Sequence, residues 1–171
     1  MEQTYKLIIE KANRIKLLLT DCDGVLTNGN VFYSKSGEEM KQFSLRDGMG
    51  VERLQKLVNV ETGIITGEKS EIVQRRVEKL KILEYHPGCS DKYITLLEIL
   101  GRKNITADQV AYIGDDVNDL EIMRHVGLSA CPSDAMPIIR EIAHLKMINK
   151  GGHGAFREFA EAIIHFKQET K

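Results

Sequence analysis

Two acidic pairs, far apart in the chain, carry the first chemical signal. Asp21 and Asp23 stand in LLLTDCDG, and Asp115 and Asp116 stand in YIGDDVND. Each pair follows a short apolar run. Thr66 and Gly67 follow a third such run, VETGII. If those runs are neighbouring strands, the carboxylates meet in space and raise one another's pKa by repulsion. A divalent cation relieves that repulsion. Oxygen-only ligands with positions left for water suit Mg2+. A carboxylate beside Mg2+ suits phosphoryl chemistry, because the cation offsets phosphate charge and lets an anionic nucleophile approach. Either pair alone reads equally well as a turn or a helix cap, as does Asn118. Both pairs at equivalent strand ends point to a site.

The elements that must position these residues are legible as alternating runs. Residues 3–14 read as an amphipathic helix and 15–20 as a buried strand ending at Asp21. Gly24, Asn28, Gly29 and Gly37 punctuate 24–44 into a β-hairpin. A helix starting at Ser44 or Asp47 carries Val51, Leu54, Leu57 and Val58 at helical spacing. Residues 60–66 form the next strand, Glu68 to Leu80 a charged amphipathic helix, and 82–86 a short strand. Asp91 to Leu100 is helical, with Ile94, Leu97 and Leu100 expected inward. Residues 109–114 form a strand, followed by a helix from Asn118 to His125. GLSACP and AHLKMIN are the last strands, with Pro137 to Ile142 helical between them, and a final helix follows Gly154. Strands alternating with helices predict an α/β fold: a doubly wound, mostly parallel sheet with helices on both faces. Ligands then bind beyond the carboxyl ends of the strands.

Bulk properties exclude several classes. The 171 residues favour one domain spanning 1–171, and 42% hydrophobic with 29% charged residues is an ordinary globular balance. A formal net charge of −1 supplies no field for nucleic acid or an anionic membrane. No apolar run approaches the ~20 residues of a membrane span. The N-terminus mixes charge with hydrophobe and lacks the pattern of a signal peptide, so a cytoplasmic setting is expected. Cys22, Cys89 and Cys131 are too few and too scattered for a disulfide framework. Cys22, between two aspartates, reads as a packed thiol because their charge disfavours a thiolate.

The motifs resemble those of the haloacid dehalogenase superfamily. LLLTDCDGVLTNG (17–29) is similar to its first motif, IITGE (64–68) to its second, Lys92 to its third and YIGDDVNDL (112–120) to its fourth, in that order. The resemblance implies a Mg2+-dependent phosphatase. Asp21 is then the nucleophile that forms an aspartyl-phosphate. Asp23 is the general acid and later the general base, and its backbone carbonyl joins Asp21 and Asp115 around the metal. Thr66 and Gly67 donate hydrogen bonds to the phosphoryl oxygens, and Lys92 brings positive charge. Asp116 and Asp119 stand behind these groups, orienting waters and Lys92.

Between the motifs there is room for a hairpin and single helices, but not for a cap domain. A capless site is open, and something else must cover a small substrate. The hairpin at 27–43 carries Val31, Phe32, Tyr33 and Phe43, which suggests an assembly surface; a plain extension of the sheet is the alternative. FSLRDGMGV (43–51) and GGHGAFREF (151–159) resemble segments of capless, tetrameric phosphatases acting on 3-deoxy-D-manno-octulosonate 8-phosphate in lipopolysaccharide synthesis. That resemblance implies a homotetramer in which residues 150–171 close a neighbouring active site. Arg157 is a candidate for the sugar carboxylate, with Arg46 and Arg76 as further candidates. Glu68 with Lys79 resembles instead the phosphatases of nonulosonate 9-phosphates of the sialic-acid type, which keeps that substrate as an alternative. A response-regulator receiver domain is the non-enzyme rival: Asp21, Asp23, Asp47, Thr66 and Lys92 can be fitted to it. Asp47, however, follows polar SLR and not a hydrophobic strand, and GDDVND is left without a role. His153 reads as a loop histidine.

Overall fold

The computed structural model describes residues 2–169. Helix α1 (Glu2–Arg14) leads into β1 (Leu17–Thr20); β2 (Phe32–Ser34) and β3 (Gly37–Met40) form an antiparallel hairpin. Then come α2 (Leu45–Val58), β4 (Glu61–Ile65), α3 (Glu71–Leu80), β5 (Glu84–His86) and α4 (Lys92–Lys103). The chain continues through β6 (Val110–Ile113), α5 (Leu120–His125), β7 (Leu128–Cys131), α6 (Pro137–Ile142), β8 (Leu145–Lys146) and α7 (Ala155–Glu169). Six strands make one sheet in the order β5-β4-β1-β6-β7-β8, parallel at every pairing.

The alternation along β1 sets the two layers. Leu18 faces a cluster built from Ile8, Ala12, Val51, Leu54, Val73, Val77 and α7, so α1, α2, α3 and α7 lie on one face. Leu17 and Leu19 face Leu96, Ile99, Ile122, Met123 and Ile139, so α4, α5 and α6 lie on the other. Period-two burial on both faces is what a sandwiched parallel strand requires.

Three expectations are corrected. Helix α4 presents Lys92, Leu96 and Ile99 to the interior, while Ile94 and Leu97 are exposed and Leu100 is half-buried. The last strand shrinks to Leu145–Lys146. On the hairpin, Phe32 and Tyr33 are exposed, but Phe43 packs against the core with Arg76 over its ring. The segment after Lys150 is mostly built into its own chain. Phe156, Phe159, Ala160 and Ile163 of α7 are fully buried beside α1 and α2. Deleting it would strip the core, since a buried phenylalanine truncated to alanine costs about 3–5 kcal/mol.

Candidate active site

The sheet register brings the motif residues together. Thr20 lies opposite Ile64 of β4 and Ile113 of β6, so the next residues of all three strands emerge at one edge. Asp21 continues β1, its N–H donating to the Ile113 carbonyl at 3.0 Å. Thr66 continues β4, with its N–H on the His86 carbonyl at 3.0 Å. Asp115 follows β6 after Gly114. The chain leaves β1 for β4 and β5 on one side, then crosses to β6 on the other, so this edge is the switch point where open α/β sheets form a crevice.

Lys92 enters from α4, whose N-cap Asp91 accepts from the Tyr93 and Ile94 N–H groups. Its Nζ lies 2.6 Å from Asp21 Oδ1 and 2.6 Å from Asp119 Oδ1. Asp119 is fully buried and saturated. Oδ1 also accepts the Tyr112 hydroxyl at 2.6 Å, and Oδ2 accepts the N–H groups of Asp115 at 2.9 Å and Asp116 at 3.3 Å. Asp119 therefore fixes both the lysine and the loop that carries Asp115.

The site lacks positive charge. Burial first, then the repulsion of Asp119, pushes the Asp21 carboxyl up, although Lys92 touches it. Asp115 is pushed up by burial and by Asp21 and Asp119. Burial works against the Lys92 charge, but Asp21 and Asp119 outweigh it and hold the ammonium above its ordinary value. One ammonium thus serves three carboxylates. Carboxylate oxygens of Asp21, Asp115 and Asp119 lie within 4.8 Å of one another. Asp115 Oδ1 is buried and has no hydrogen-bond partner among the described residues. Since Asp119 is already saturated, Asp21 and Asp115 are the pair a hard divalent cation fits. Gly24 makes room: at φ +97° a Cβ there would lie 2.0 Å from Asp115 Oδ2.

Asp23 is held by the Thr27 hydroxyl at 3.0 Å on Oδ1 and by Lys41 Nζ at 2.6 Å on Oδ2. Thr66 is buried, and its Oγ1 accepts the Glu68 N–H at 3.3 Å, leaving the hydroxyl proton to donate. Gly67 and Glu68 are exposed beside it. Asp116 turns outward and caps the short 3-10 turn 117–119 through the Val117 N–H, so its carboxylate serves the backbone and does not reach Lys92. Cys22 is a buried thiol, pushed up by burial and then by Asp23 and Asp21.

Of the sugar-binding candidates, Arg46, Arg76 and Arg157 gather around residues 44–47 at the start of α2, apart from Lys79 and Glu68. Arg76 donates to the Ser44 carbonyl at 2.9 Å and covers Phe43. Arg157 pairs with Glu161 at 2.7 Å, and its NH1 lies 3.5 Å from the Arg46 carbonyl. The Arg46 side chain is exposed at the start of α2. Lys79 lies at the far end of α3, lining a groove of about 640 Å³ with Glu61, Thr62 and Glu84 at the amino ends of the strands. It does not meet Glu68, which lies beyond the carboxyl end of β4. Sequence reasoning passed over Lys41 and Tyr112. Tyr112 left a trace, since a phenol inside a buried strand needs a partner. Lys41, one of several charges in a polar hairpin, left none.

The loop after β8 is stitched to the same site. Gly151 donates to Asp134 Oδ1 at 3.0 Å, and Gly152 donates to the Val25 carbonyl at 2.9 Å. A Cβ at Gly151 would lie 1.8 Å from the Gly24 carbonyl oxygen, so only glycine lets this loop back the catalytic turn.

The family model of haloacid dehalogenase-like hydrolases matches residues 8–155. A 3-deoxy-D-manno-octulosonate 8-phosphate phosphatase of Yersinia pestis is 38% identical over 157 residues, covering 92% of this chain and 83% of the relative. The crystal structure of such a phosphatase from the same organism superposes with a TM-score of 0.90 at 37% identity, covering 95% of this chain and 88% of that one. Its counterpart from Moraxella catarrhalis, solved in complex with a magnesium ion, a phosphate ion and a KDO molecule, gives a TM-score of 0.91 at 33% identity, covering 95% and 92%. Four motifs at one sheet edge, the matching family model and these relatives lead to one statement: the chain belongs to the haloacid dehalogenase-like hydrolases.

Proposed function

We propose that this chain is a phosphatase that cleaves 3-deoxy-D-manno-octulosonate 8-phosphate into the sugar acid and phosphate through an aspartyl-phosphate. The observation that carries this reading is the buried, cation-deficient cluster of Asp21, Asp115 and Lys92 at the sheet's switch point. Asp21, Asp115 and the Asp23 carbonyl would hold Mg2+. When bound, the ion offsets the charge of carboxylates and phosphoryl oxygens so that two anions can meet. Asp21 attacks phosphorus, and the phosphorus–oxygen bond to the sugar breaks. The electron pair leaves with the sugar oxygen, which takes a proton from Asp23. Water then attacks phosphorus and gives its proton to Asp23, the bond to Asp21 breaks, and the carboxylate returns. Lys92, Thr66 and the Gly67 N–H supply positive charge and donors for the phosphoryl oxygens.

The reading extends to the setting. The enzyme works in the cytoplasm, in lipopolysaccharide sugar synthesis, as a homotetramer joined through the hairpin. A neighbouring copy covers the open site; within 150–171, the exposure of Lys150 and His153 supports a contact there. The nonulosonate alternative rested on Glu68 with Lys79, and the length of α3 separates them. The receiver reading is not favoured either, because Asp119 of GDDVND is the anchor of Lys92.

Phosphate release with Mg2+ tests the proposal, comparing octulosonate 8-phosphate with nonulosonate 9-phosphate at matched concentrations. A higher kcat/KM for the first is expected. Preference for the second overturns the substrate, and release that ignores Mg2+ overturns the mechanism.

A further inference from the structure

Lys41 follows β3 between exposed Met40 and exposed Gln42, yet its side chain is only 1% exposed. A buried ammonium persists only where it is paired. Its Nζ has two carboxylates, Asp23 Oδ2 at 2.6 Å and Glu38 Oε1 at 3.2 Å. The other oxygen of Glu38 accepts the Ser70 hydroxyl at 2.5 Å, and Ser70 Oγ in turn caps α3 through the Val73 N–H at 3.3 Å. The remaining oxygen of Asp23 is taken by Thr27. A polar chain Asp23–Lys41–Glu38–Ser70 therefore runs from the first motif, across the hairpin, to the helix that follows the second motif.

We propose that Lys41 is the positioning residue for Asp23, seated by Glu38, so that the hairpin sets where the general acid delivers its proton. This rests on the phosphatase reading above. Asp23 is the side chain in that mechanism that moves protons, and proton delivery demands hydrogen-bond distance to the departing oxygen. With a donor on each carboxylate oxygen Asp23 is held in one orientation, and each oxygen keeps a second lone-pair position that can carry the proton to be delivered. Without Lys41, Oδ2 loses its partner and the carboxyl swings about χ1 and χ2. The loss falls on the step that needs the acid. An alkyl phosphate leaves as a strongly basic alkoxide and needs that proton, whereas p-nitrophenyl phosphate leaves as a weakly basic phenolate and does not.

The experiment is steady-state kinetics of wild type, Lys41→Met, Lys41→Arg, Glu38→Gln and Asp21→Asn with Mg2+, on octulosonate 8-phosphate, a simple alkyl phosphate and p-nitrophenyl phosphate. For Lys41→Met we expect kcat on the alkyl esters to fall about tenfold or more, with KM within about twofold and p-nitrophenyl phosphate turnover within about threefold. Arginine should restore part of the loss. Glu38→Gln, which spares Lys41, should give a smaller loss of the same kind. Equal losses on all esters, or none, overturn the positioning role. If Lys41→Met melts early, the Glu38→Gln leaving-group comparison decides alone: a selective alkyl loss supports the proposal and an even one overturns it. Wild-type activity that is absent, or that persists in Asp21→Asn, sinks the phosphatase reading itself, whatever Lys41 does.

Discussion

Asp119 touches no substrate in the proposed mechanism, yet it organises the site. It accepts from Lys92, Tyr112 and two backbone amides, which leaves Asp115 as the carboxylate with an unused buried oxygen. Two measurements test this arrangement. Tyr112→Phe removes one donor from Asp119 while keeping the ring's packing. It should cost about 1 kcal/mol of stability and lower kcat by roughly tenfold with KM unchanged, as loss of an orienting partner does. Denaturant melts with initial-rate kinetics check it, and an unchanged kcat would show that Lys92 and the amides suffice to hold Asp119. The second concerns the cation. Mg2+ at a hundred times its dissociation constant should stabilise the wild type by about 2.7 kcal/mol. Asp115→Asn should lose that response and keep its fold, which thermal melts with and without Mg2+ reveal. The motif aspartates were legible because their types and strand-end placement demand a cation. The network behind them was less so, because Lys41 and Tyr112 become partners only through tertiary contacts.

The element that joins the two ends of the chain is the pairing of α2 with α7. Asp47, in the first turn of α2, accepts the Arg157 N–H at 2.9 Å, so one helix caps the amino end of another. Burial lifts its carboxyl from 3.8 to about 6 against the backbone donors of Arg157 and Gly154, and its Oδ2 has no hydrogen-bond partner among the described residues. A folded-state pKa above the unfolded value means that the folded protein holds this proton more tightly. The associated stability is full below about pH 4 and is lost as pH rises through about 6, on the order of 2–3 kcal/mol. Asp47→Asn keeps an acceptor for Arg157 and has no charge to bury. Urea melts from pH 4.5 to 7.5 should therefore show the wild type losing stability relative to the variant as pH rises, and parallel curves would refute the assignment. For the secondary-structure elements most of the sequence reading holds. Apolar runs located the strands of the sheet, and Ser70 and Asp91 capped the helices near the expected starts. The phase of α4 was misread because Ile94, Leu97 and Leu100 have helical spacing just as Lys92, Leu96 and Ile99 do. Periodicity assigns lysine to solvent, whereas here the buried carboxylates of Asp21 and Asp119 turn it inward and rotate the helix with it.

For the molecule as a whole, the hairpin is the part that its own fold does not account for. Two strands make a ribbon apart from the main sheet, tied back by the Thr27–Phe43 bridge and by Lys41 and Glu38. An isolated two-stranded ribbon is marginal in water, and its edges invite pairing. Phe32, Tyr33 and Met40 are 58%, 72% and 60% exposed, an apolar surface that a single copy leaves wet. The same ribbon touches the edge of the site through Lys41 and Asp23, so one contact between copies there would both bury these side chains and cover the substrate. Phe32→Ser combined with Tyr33→Ser should convert an assembly of several copies into monomers without changing the circular dichroism spectrum, because neither side chain belongs to the core. Sedimentation velocity at micromolar concentration measures the change. Activity should then fall more on the sugar-acid phosphate than on p-nitrophenyl phosphate, since the cover matters most to a substrate with a sugar to hold. A wild type that sediments as a monomer would leave the exposed aromatics without a partner of their own kind and would separate the hairpin's hold on Asp23 from any part in assembly.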